Sequence, residues 1–377
     1  MPPVVFDLRQ AEDSRDVVHQ AVQALVEGKL VAFPTETVYG LAASALDERA
    51  VGRLIEVKGR KKGHALCLAV KSADDARDYV PDMSALAQRL ARRCWPGPIT
   101  LVVDDSHPES LVRRLPPSVR QYVSPAQTVG LRVPGHQVLL EVMRMLVGPL
   151  ALTSANRARG KEAVTGREVL DRLGDSVDMV LDDGACRFGE PSSVVRVTGN
   201  RYEILRAGVV PAKTLQRLAS LMILFVCTGN TCRSPMAEAI CRHLLARQMG
   251  CKVQDLEDHG VLVMSAGMAA ALGGRASPEA VQVMSALGLD ISDHQSQPLS
   301  EALMRHADWI YAMTQAHRAN IVAQWPDAAE RTMLLCADES DVCDPLGGPL
   351  DRYQHCAAQI RAELEIRLGQ LDLEAPA

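Results

Sequence analysis

The sequence predicts an α/β protein with two different domains, a twisted-sheet domain followed by a small doubly wound parallel-sheet domain. The first observation is length, because the 377 residues exceed the roughly 150 typical of one domain. The second is an alternation of strand-like and helix-like segments from Leu221 onward, which is typical of a parallel sheet covered on both faces. The third is the different character of the chain up to Gly208, where glycine- and proline-marked loops separate short apolar runs from amphipathic helices.

Apolar spacing predicts the main elements of both parts. In the first part these are strands at Leu30–Phe33 and Leu150–Leu152 and helices at Ala50–Val57 and Met83–Arg93. In the second part they are a strand at Leu221–Val226 and a closing charged helix at Ala357–Leu371. A short helical linker is predicted between the two parts. The predicted boundaries are therefore 10–210 for the first domain, 211–220 for the linker and 221–377 for the second domain.

Composition restricts the class of protein. Apolar residues make up 47% of the chain, as in ordinary soluble proteins with sizeable cores. With 3% aromatic residues and a net charge of −5, the chain does not fit a protein that stacks bases or coats nucleic acid. Ten cysteines without a signal peptide indicate a reducing compartment, and no apolar run is long enough to span a bilayer. We therefore expect a cytoplasmic protein without a membrane partner.

The segment at positions 227–234, CTGNTCRS, carries the strongest chemical signal in the chain. It follows the strand Leu221–Val226 and leads into a predicted helix, so backbone N–H groups and a helix N-terminus surround one concave loop. A cysteine at the mouth of such an anion site, here Cys227, becomes a thiolate nucleophile. Arg233 offers a planar guanidinium that can hold a tetrahedral phosphate through paired hydrogen bonds. The pattern predicts a loop that binds a phosphoryl group and attacks it.

The acid that this chemistry requires is predicted at Asp344. Phosphoryl transfer to a thiolate needs a group that protonates the leaving atom. Asp344-Pro345 lies in a glycine- and proline-marked loop, far downstream of Cys227 but in the same α/β unit. An isolated Asp-Pro pair is usually only a turn, and its position relative to the CxxxxxR motif favours the catalytic role.

These residues resemble the low-molecular-weight protein-tyrosine phosphatase family over Leu221–Leu373. The resemblance implies that Cys227 forms a phosphocysteine, that Arg233 clamps the phosphate, and that Asp344 acts first as general acid and then as general base toward water. It also implies that no metal or cofactor is required. The loop residues to which it assigns phosphate binding, thiolate stabilisation and substrate selectivity are Thr228, Gly229, Asn230, Thr231, Cys232 and Ser234.

The substrate is predicted from the loop variant. Thr231, within CTGNTCRSPMAE, resembles the bacterial protein-arginine phosphatase branch, which implies phosphoarginine in proteins as the substrate. A hydroxyl suits a polar guanidinium, and the loop after Asp344 has no aromatic residue to sandwich a tyrosine. Phosphotyrosine is the second choice. A third is thioredoxin-coupled arsenate reduction, which needs two further cysteines, and Cys336 and Cys343 are the candidates.

Three polar segments of the first part suggest a site for a phosphate-bearing ligand. They are PTETVYG at 34–40, which follows a predicted strand, KGRKK at 58–62 and TSAN at 153–156. The basic run can neutralise a polyphosphate, and each segment alone is more often a solvated surface or a helix cap. Their combination is what favours a binding site.

With WPGPIT, LRVPGH, GEPSSVV and ILRAG, these segments resemble the YrdC-like threonylcarbamoyl-AMP synthase family, in the family's order, over about residues 10–210. The resemblance implies that L-threonine, bicarbonate and ATP, with Mg²⁺, yield threonylcarbamoyl-AMP for the machinery that modifies tRNA to threonylcarbamoyladenosine. It implies Thr35 and Arg132 as threonine-binding residues. The residues implied for ATP and bicarbonate are Lys58, Arg60, Ser154, Asn156, Ser192 and Arg206.

The leading hypothesis is therefore a bifunctional enzyme, a nucleotidyl-transfer synthase fused to a cysteine-dependent phosphatase. The alternative for the first half is a domain that only binds nucleotide or RNA.

Overall fold

The structure is a computed structural model that describes residues 2–10, 13–59 and 65–370. These residues divide between Leu215 and Gln216 into two compact units, called here the N-terminal unit and the C-terminal unit. The division lies within the segment for which a helical linker was predicted, and a helix does occupy Ala212–Ala219. Within the described ranges, no helix combines the length and the apolar character needed to cross a membrane.

The N-terminal unit is built on one mixed sheet. Its ten strands are β1 (Val4–Asp7), β2 (Val31–Phe33), β3 (Gly40–Ser44), β4 (Cys67–Ala69), β5 (Ile99–Asp104), β6 (Thr128–Arg132), β7 (Leu150–Ser154), β8 (Met179–Asp182), β9 (Ser193–Thr198) and β10 (Arg201–Arg206). They are ordered β1-β8-β2-β3-β7-β4-β6-β5-β9-β10. The first strand lies ahead of the predicted domain start at residue 10, and it pairs in parallel with β8.

Helices cover this sheet. They are α1 (Ser14–Val26), α2 (Glu48–Lys58), α3 (Asp75–Tyr79), α4 (Ala85–Cys94), α5 (Pro117–Val123), α6 (Gln137–Met145) and α7 (Gly166–Leu173), with 3-10 turns at Leu111–Arg114 and Gly174–Ser176; the helix at Ala212–Ala219 is α8. One apolar core joins α1 and α6 to the central strands and includes Leu25, Phe33, Val142 and Leu181. This rigid framework holds the strand ends that carry the candidate ligand residues.

Local capping explains where α2 ends and therefore where Lys58 lies. Asp47 caps the helix, because its carboxylate accepts hydrogen bonds from the backbone N–H groups of Arg49 and Ala50. The helix stops at Gly59, which adopts a left-handed φ of 62° that a residue with a Cβ atom adopts at a cost. Lys58 is consequently the last helical residue, and it is buried.

The C-terminal unit contains a four-stranded parallel sheet in the order β12-β11-β13-β14. Its strands are β11 (Leu221–Cys227), β12 (Val261–Gly267), β13 (Trp309–Ala312) and β14 (Thr332–Leu334). Its helices are α9 (Arg233–Met249), α10 (Pro278–Ala286), α11 (Glu301–His306), α12 (Gln315–Gln324) and α13 (Leu350–Gly369), with 3-10 turns at Val253–Asp255 and Pro326–Arg331. All strand pairs are parallel, as the alternation of strands and helices predicts.

Both faces of this sheet are buried, which makes it doubly wound. Along β11, Ile223 and Phe225 enter a core shared with α9, α10 and α13. Leu224 and Val226 enter a second core shared with α11 and α12. Because side chains alternate between the two faces of a strand, an uninterrupted apolar run is what such a strand requires.

The predicted elements agree with the structure apart from their ends. The helix predicted at Ala50–Val57 is α2, and the one at Met83–Arg93 is α4. The closing helix α13 starts at Leu350, seven residues earlier than the predicted Ala357. Polar residues at Asp351 and Arg352 obscure that start in the sequence, whereas the packing of α13 against α9 and α10 stabilises the longer helix.

Candidate active sites

The candidate nucleophile Cys227 lies at the end of β11, where the chain turns into the segment that begins α9. The Cys227 sulfur accepts a hydrogen bond from the backbone N–H of Asn230 at 3.2 Å. It also lies 2.9 Å from the Ser234 hydroxyl. Ser234 Oγ accepts from the Asn230 amide at 3.0 Å. Its single hydrogen has two possible acceptors, the sulfur at 2.9 Å and the more distant Ala266 carbonyl at 3.5 Å. Two donors can therefore stabilise a thiolate in a buried site.

A polar network holds the phosphate loop, residues 227–234, in this shape. Asn230 has a left-handed φ of 53°, which places its backbone N–H toward the sulfur. Its side chain donates to the Ser265 hydroxyl at 2.9 Å and accepts from the Gln297 N–H at 2.9 Å. A ring nitrogen of His294 lies 2.8 Å from its carbonyl oxygen. These bonds fix a backbone conformation that is otherwise unfavourable for a residue with a side chain.

Arg233 and Asp344 meet at the same loop although 111 residues separate them. The Arg233 guanidinium donates to Asp344 Oδ2 at 2.7 Å. The Arg233 side chain is 7% exposed and that of Asp344 is 50% exposed, so the guanidinium is buried while the carboxylate faces solvent. The structure therefore brings together the predicted phosphate-binding arginine and the predicted acid.

Thr231 and Cys232 complete the loop. Cys232 is buried, and its thiol donates to the Ser277 hydroxyl at 3.3 Å and lies 3.7 Å from the Tyr353 hydroxyl. Thr231 is partly exposed, and its carbonyl oxygen accepts from the Ser277 N–H at 2.9 Å. The Thr231 hydroxyl lies 3.6 Å from the Cys232 sulfur, and Thr231 is the more exposed of the two residues.

Three other cysteines of the C-terminal unit, Cys241, Cys336 and Cys356, lie in its apolar core. Burial raises the pKa of each of these thiols. Cys336 is fully buried beside Gln359, whose amide donates to its sulfur at 3.5 Å. A redox relay needs an accessible thiolate, so this arrangement gives no support to the arsenate-reductase alternative.

The N-terminal unit has a cavity of about 420 Å³ between the ends of its central strands. The side chains that line it are mostly small or hydroxyl-bearing, and the cations among them are arginines. The sequence-predicted residues in this lining are Thr35, Arg132, Ser154, Ser192 and Arg206. The structure therefore brings five separately predicted residues to one cavity of the size that small-molecule ligands occupy.

Lys58 and Asn156 adjoin the cavity through Ser154. The Lys58 ammonium donates to the carbonyl oxygen and the hydroxyl of Ser154 at 2.8 and 3.0 Å. It also donates to the side-chain oxygen of Asn156. Asn156 in turn donates to the Gly160 carbonyl at 2.5 Å. Arg60, the remaining predicted ligand, lies outside the described residues.

A buried ion pair organises the part of the cavity around Arg132. Arg132 donates to Glu36 Oε1 at 2.7 Å and to the Thr37 hydroxyl at 2.9 Å. The second Glu36 oxygen accepts from the Gly135 N–H at 2.8 Å. The Thr35 hydroxyl donates to the Val38 carbonyl at 2.6 Å. Glu36 and Thr37 thus orient Arg132, a role that the PTETVYG motif contains but that sequence reasoning did not assign.

Arg206 lies on the other side of the cavity. Its guanidinium donates to the carbonyl oxygen of Ser192 at 2.8 Å and to its hydroxyl at 3.1 Å. The Ser192 hydroxyl also lies 3.2 Å from that of Thr100. Burial lowers the pKa of Arg206, Glu162 opposes that effect, and the nearby Arg132 lowers the pKa further. A bound anion would offset the cost of holding two guanidinium groups near one cavity.

Sequence comparisons match the two units to two different families. Residues 23–208 match the Sua5/YciO/YrdC model, described as telomere recombination, and residues 222–376 match the low molecular weight phosphotyrosine protein phosphatase model. A Mycobacterium tuberculosis protein provisionally named threonylcarbamoyl-AMP synthase is 34% identical over 218 residues, 58% of this chain and 94% of that protein. The protein-arginine-phosphatase of Bacillus subtilis is 40% identical over 153 residues, 40% of this chain and 93% of that protein. The chain belongs to both families.

The Sua5/YciO/YrdC unit also resembles longer proteins. The threonylcarbamoyl-AMP synthase of Pyrococcus abyssi is 35% identical over 192 residues, and the chain spans only 54% of its length. The crystal structure of P. abyssi Sua5 complexed with L-threonine matches with a TM-score of 0.52 and 23% identity, over 70% of this chain and 92% of that one. At that identity the likeness concerns the fold.

Proposed function

We propose that the protein is a bifunctional enzyme. The N-terminal unit makes L-threonylcarbamoyladenylate from L-threonine, bicarbonate and ATP, and the C-terminal unit hydrolyses phosphoarginine in proteins. Membership of both families supports an enzyme with a synthase half and a phosphatase half. The reaction steps and the residue roles are those that the resemblance to the two families implies.

In the phosphatase reaction, the Cys227 thiolate attacks phosphorus. The bond from phosphorus to the leaving atom breaks, a P–S bond forms, and Asp344 gives its proton to the leaving atom. Water then attacks the phosphocysteine while the Asp344 carboxylate takes its proton, and inorganic phosphate leaves with regeneration of the thiolate. The observation that carries this proposal is the convergence of Cys227, Arg233 and Asp344, with two donors on the sulfur.

Phosphoarginine is the substrate that the surroundings of Cys227 favour. Thr231, a partly exposed residue of the phosphate loop, is polar. Asp344 and Asp341 would add negative charge beside a departing guanidinium. Arginine is released as a cation, so carboxylates beside it stabilise the product. The relation to the B. subtilis protein-arginine-phosphatase supports the same choice.

A competition between two phosphopeptides tests the substrate. Purified protein is given equal amounts of phosphoarginine and phosphotyrosine peptides, and phosphate release from each is measured. We expect preference for phosphoarginine, and a shift toward phosphotyrosine in Thr231→Ile. Better turnover of phosphotyrosine by the unaltered protein would refute the assignment.

Two matched pairs of variants test the chemical roles. We expect Cys227→Ser to abolish turnover and Asp344→Asn to lower it by roughly 10²- to 10⁴-fold, the usual contribution of a general acid. Cys251→Ser and the exposed Asp327→Asn serve as controls that leave turnover unchanged.

In the synthase reaction, the threonine amine forms an N–C bond to bicarbonate, a C–O bond breaks, and water leaves to give a carbamate. The carbamate oxygen then attacks the α-phosphorus of ATP, and pyrophosphate leaves. Negative charge develops on the carbamate and phosphate oxygens, which the cations Lys58, Arg60 and Arg206 would neutralise. Thr35 and Arg132 would hold threonine. The observation that carries this proposal is the convergence of the predicted ligands on one cavity.

Mg²⁺ would enter this site with ATP. Among residues 2–10, 13–59 and 65–370, no group of three or more histidine, cysteine or carboxylate side chains is arranged to hold a metal ion. The charged residues that line the cavity are arginines. The described residues therefore do not fit a protein cage for Mg²⁺, and the ion would be held by the phosphates of ATP and by water.

Pyrophosphate release tests the synthase. We expect release from ATP only when both threonine and bicarbonate are present, and loss of that release in Lys58→Ala. The surface variant Lys29→Ala is the control. ATP turnover that does not depend on threonine and bicarbonate would refute the synthase, and ATP binding without pyrophosphate release would favour a unit that only binds nucleotide. Either result would exclude supply of the product to the tRNA-modifying enzymes.

A further inference from the structure

The first turn of α12 lies between the two loops that carry the phosphatase chemistry. On one side, a ring nitrogen of His317, Nε2, lies 2.9 Å from the Thr228 hydroxyl in the phosphate loop. On the other side, the Gln315 N–H donates to Asp341 Oδ1 at 2.7 Å, and the Gln315 amide donates to the Glu339 carbonyl at 3.1 Å. Residues 339–344 form the acid loop, so one helical turn contacts both loops.

His317 is held from behind by the residue that caps its helix. The Thr314 hydroxyl accepts from the His317 backbone N–H at 3.2 Å, as an N-cap does. The same hydroxyl lies 2.9 Å from His317 Nδ1. The ring therefore has a hydrogen-bond partner at each nitrogen, and its orientation is fixed whichever tautomer is present.

Burial keeps this ring neutral at neutral pH. His317 is 8% exposed. Burial lowers its pKa, and the nearby Arg233 lowers it further, against opposing effects of Asp344 and Asp341. A neutral ring adds no second positive charge beside the arginine that clamps the phosphate.

His317 is the side chain that anchors Thr228. Within the described part of the chain, the Thr228 hydroxyl has one hydrogen-bond partner, which is His317. The Thr228 carbonyl is held separately by the Ala269 N–H at 2.9 Å. The opposite end of the loop is held at Asn230 by His294 and Gln297. Loss of His317 would therefore free the Thr228 side chain, while the Thr228 carbonyl and Asn230 stay held.

We infer that His317 is a positioning residue of the phosphatase, which sets the distance between Cys227 and Asp344 by joining the phosphate loop to the turn that carries the acid loop. This inference rests on the proposed phosphatase function. His317 does not touch the reacting atoms. It acts through Thr228 on the nucleophile side and through the helical turn 314–317 on the acid side.

Loss of His317 should mainly affect protonation of the leaving group. A misplacement of about 1 Å can cost roughly 100-fold in rate, and a misplaced acid matters only when the leaving atom needs a proton. Release of arginine or of the tyrosine phenol needs that proton, because both are strongly basic. An aryl phosphate with a nitro-substituted phenol leaves as an anion and needs it far less.

The test compares His317→Ala with unaltered protein on three substrates, a phosphoarginine peptide, a phosphotyrosine peptide and nitrophenyl phosphate. We expect kcat/KM to fall by about 100-fold on the preferred phosphopeptide and by less than about 5-fold on nitrophenyl phosphate. His317→Gln, whose amide can reach Thr228, should recover most of the loss. The exposed His243→Ala is the matched control.

The outcomes separate the two claims. Equal losses on all three substrates, with no recovery in His317→Gln, would mean that His317 only supports the loop as a whole and would overturn the inference. Absence of activity in the unaltered protein on every substrate would instead overturn the proposed phosphatase. The midpoint of thermal unfolding, measured for each variant, identifies a loss that comes from failure to fold.

Discussion

Replacing Ser234 by alanine should slow the release of the Cys227 thiolate. Ser234 Oγ lies 2.9 Å from the sulfur, and it accepts from Asn230, so its hydrogen can point at the sulfur. Ser234 and Cys227 are 0% and 3% exposed, so water does not replace the lost donor. A hydrogen bond to a charged group contributes about 1.5–3 kcal/mol. The phosphocysteine is therefore hydrolysed to a less stable thiolate in the variant.

The energy of this hydrogen bond sets the expected decrease in the rate of thiolate release. If the whole hydrogen bond is present in the transition state of thiolate release, 1.5–3 kcal/mol corresponds to a decrease of about 10- to 150-fold in that step. The backbone N–H of Asn230 still donates to the sulfur and keeps the loss from being total. Rapid-quench measurements should show a burst of leaving group followed by a slow steady state, with phosphocysteine accumulating on the enzyme.

The control for this prediction is Ser285→Ala, an exposed serine on α10. It should leave kcat and the burst unchanged. The reasoning is refuted if Ser234→Ala has a kcat within about twofold of the unaltered protein, or if it slows the first step without accumulating phosphocysteine.

Three further predictions concern stability and loop shape. Glu36→Ala leaves Arg132 buried without its carboxylate, and we expect the N-terminal unit to lose about 3–5 kcal/mol of unfolding free energy in a denaturant titration. Because the pKa of His317 is lowered by folding, the unfolded state binds a proton first as pH falls; the stability of the C-terminal unit should therefore decrease below about pH 6.5, and less so in His317→Gln. Gly267→Ala places a Cβ atom 2.6 Å from the Thr228 carbonyl oxygen, so backbone must move and phosphatase kcat/KM should fall at least 10-fold.

Each of these has a matched comparison. Glu56→Ala removes an exposed carboxylate of the same unit, and an equal loss there would contradict the ion-pair argument. A pH dependence identical in His317→Gln and the unaltered protein would assign the acid sensitivity to other groups. Gly369→Ala adds a Cβ with no atom within 4 Å, and an equal loss of activity there would contradict the steric argument.

The local structure near the candidate nucleophile Cys227 was predictable because it depends on neighbours in sequence. The apolar run before Cys227 is the central strand β11, buried on both faces, and Arg233 begins α9. The parallel sheet also followed from the alternation of strands and helices. The start of α13 could not be predicted, because the polar residues at the beginning of that helix show no apolar periodicity. Packing decides where the helix starts.

Contacts between distant segments were harder to predict from the sequence. The Glu36–Arg132 pair joins residues 96 positions apart, and His317 lies 89 positions from Thr228. Neither contact could be predicted from residue spacing in a single sequence, because strand order and crossover connections determine which segments meet. Glu36 lies within the PTETVYG motif. Its position in that motif was the available sign that it belongs to the site.

The sequence alone determined the chemistry of the two halves, because CTGNTCRS and the segments from PTETVYGL to ILRAG fix the residue types and the local loop that each reaction needs. The tertiary structure decided which of those residues share a site and which others orient them. Five predicted ligands meet at one cavity through a mixed ten-stranded sheet, and the turn 314–317 joins the phosphate loop to the acid loop. The physical reason is that local turns and helix starts depend on adjacent residues, whereas hydrogen bonds between distant residues depend on how the strands are ordered and packed.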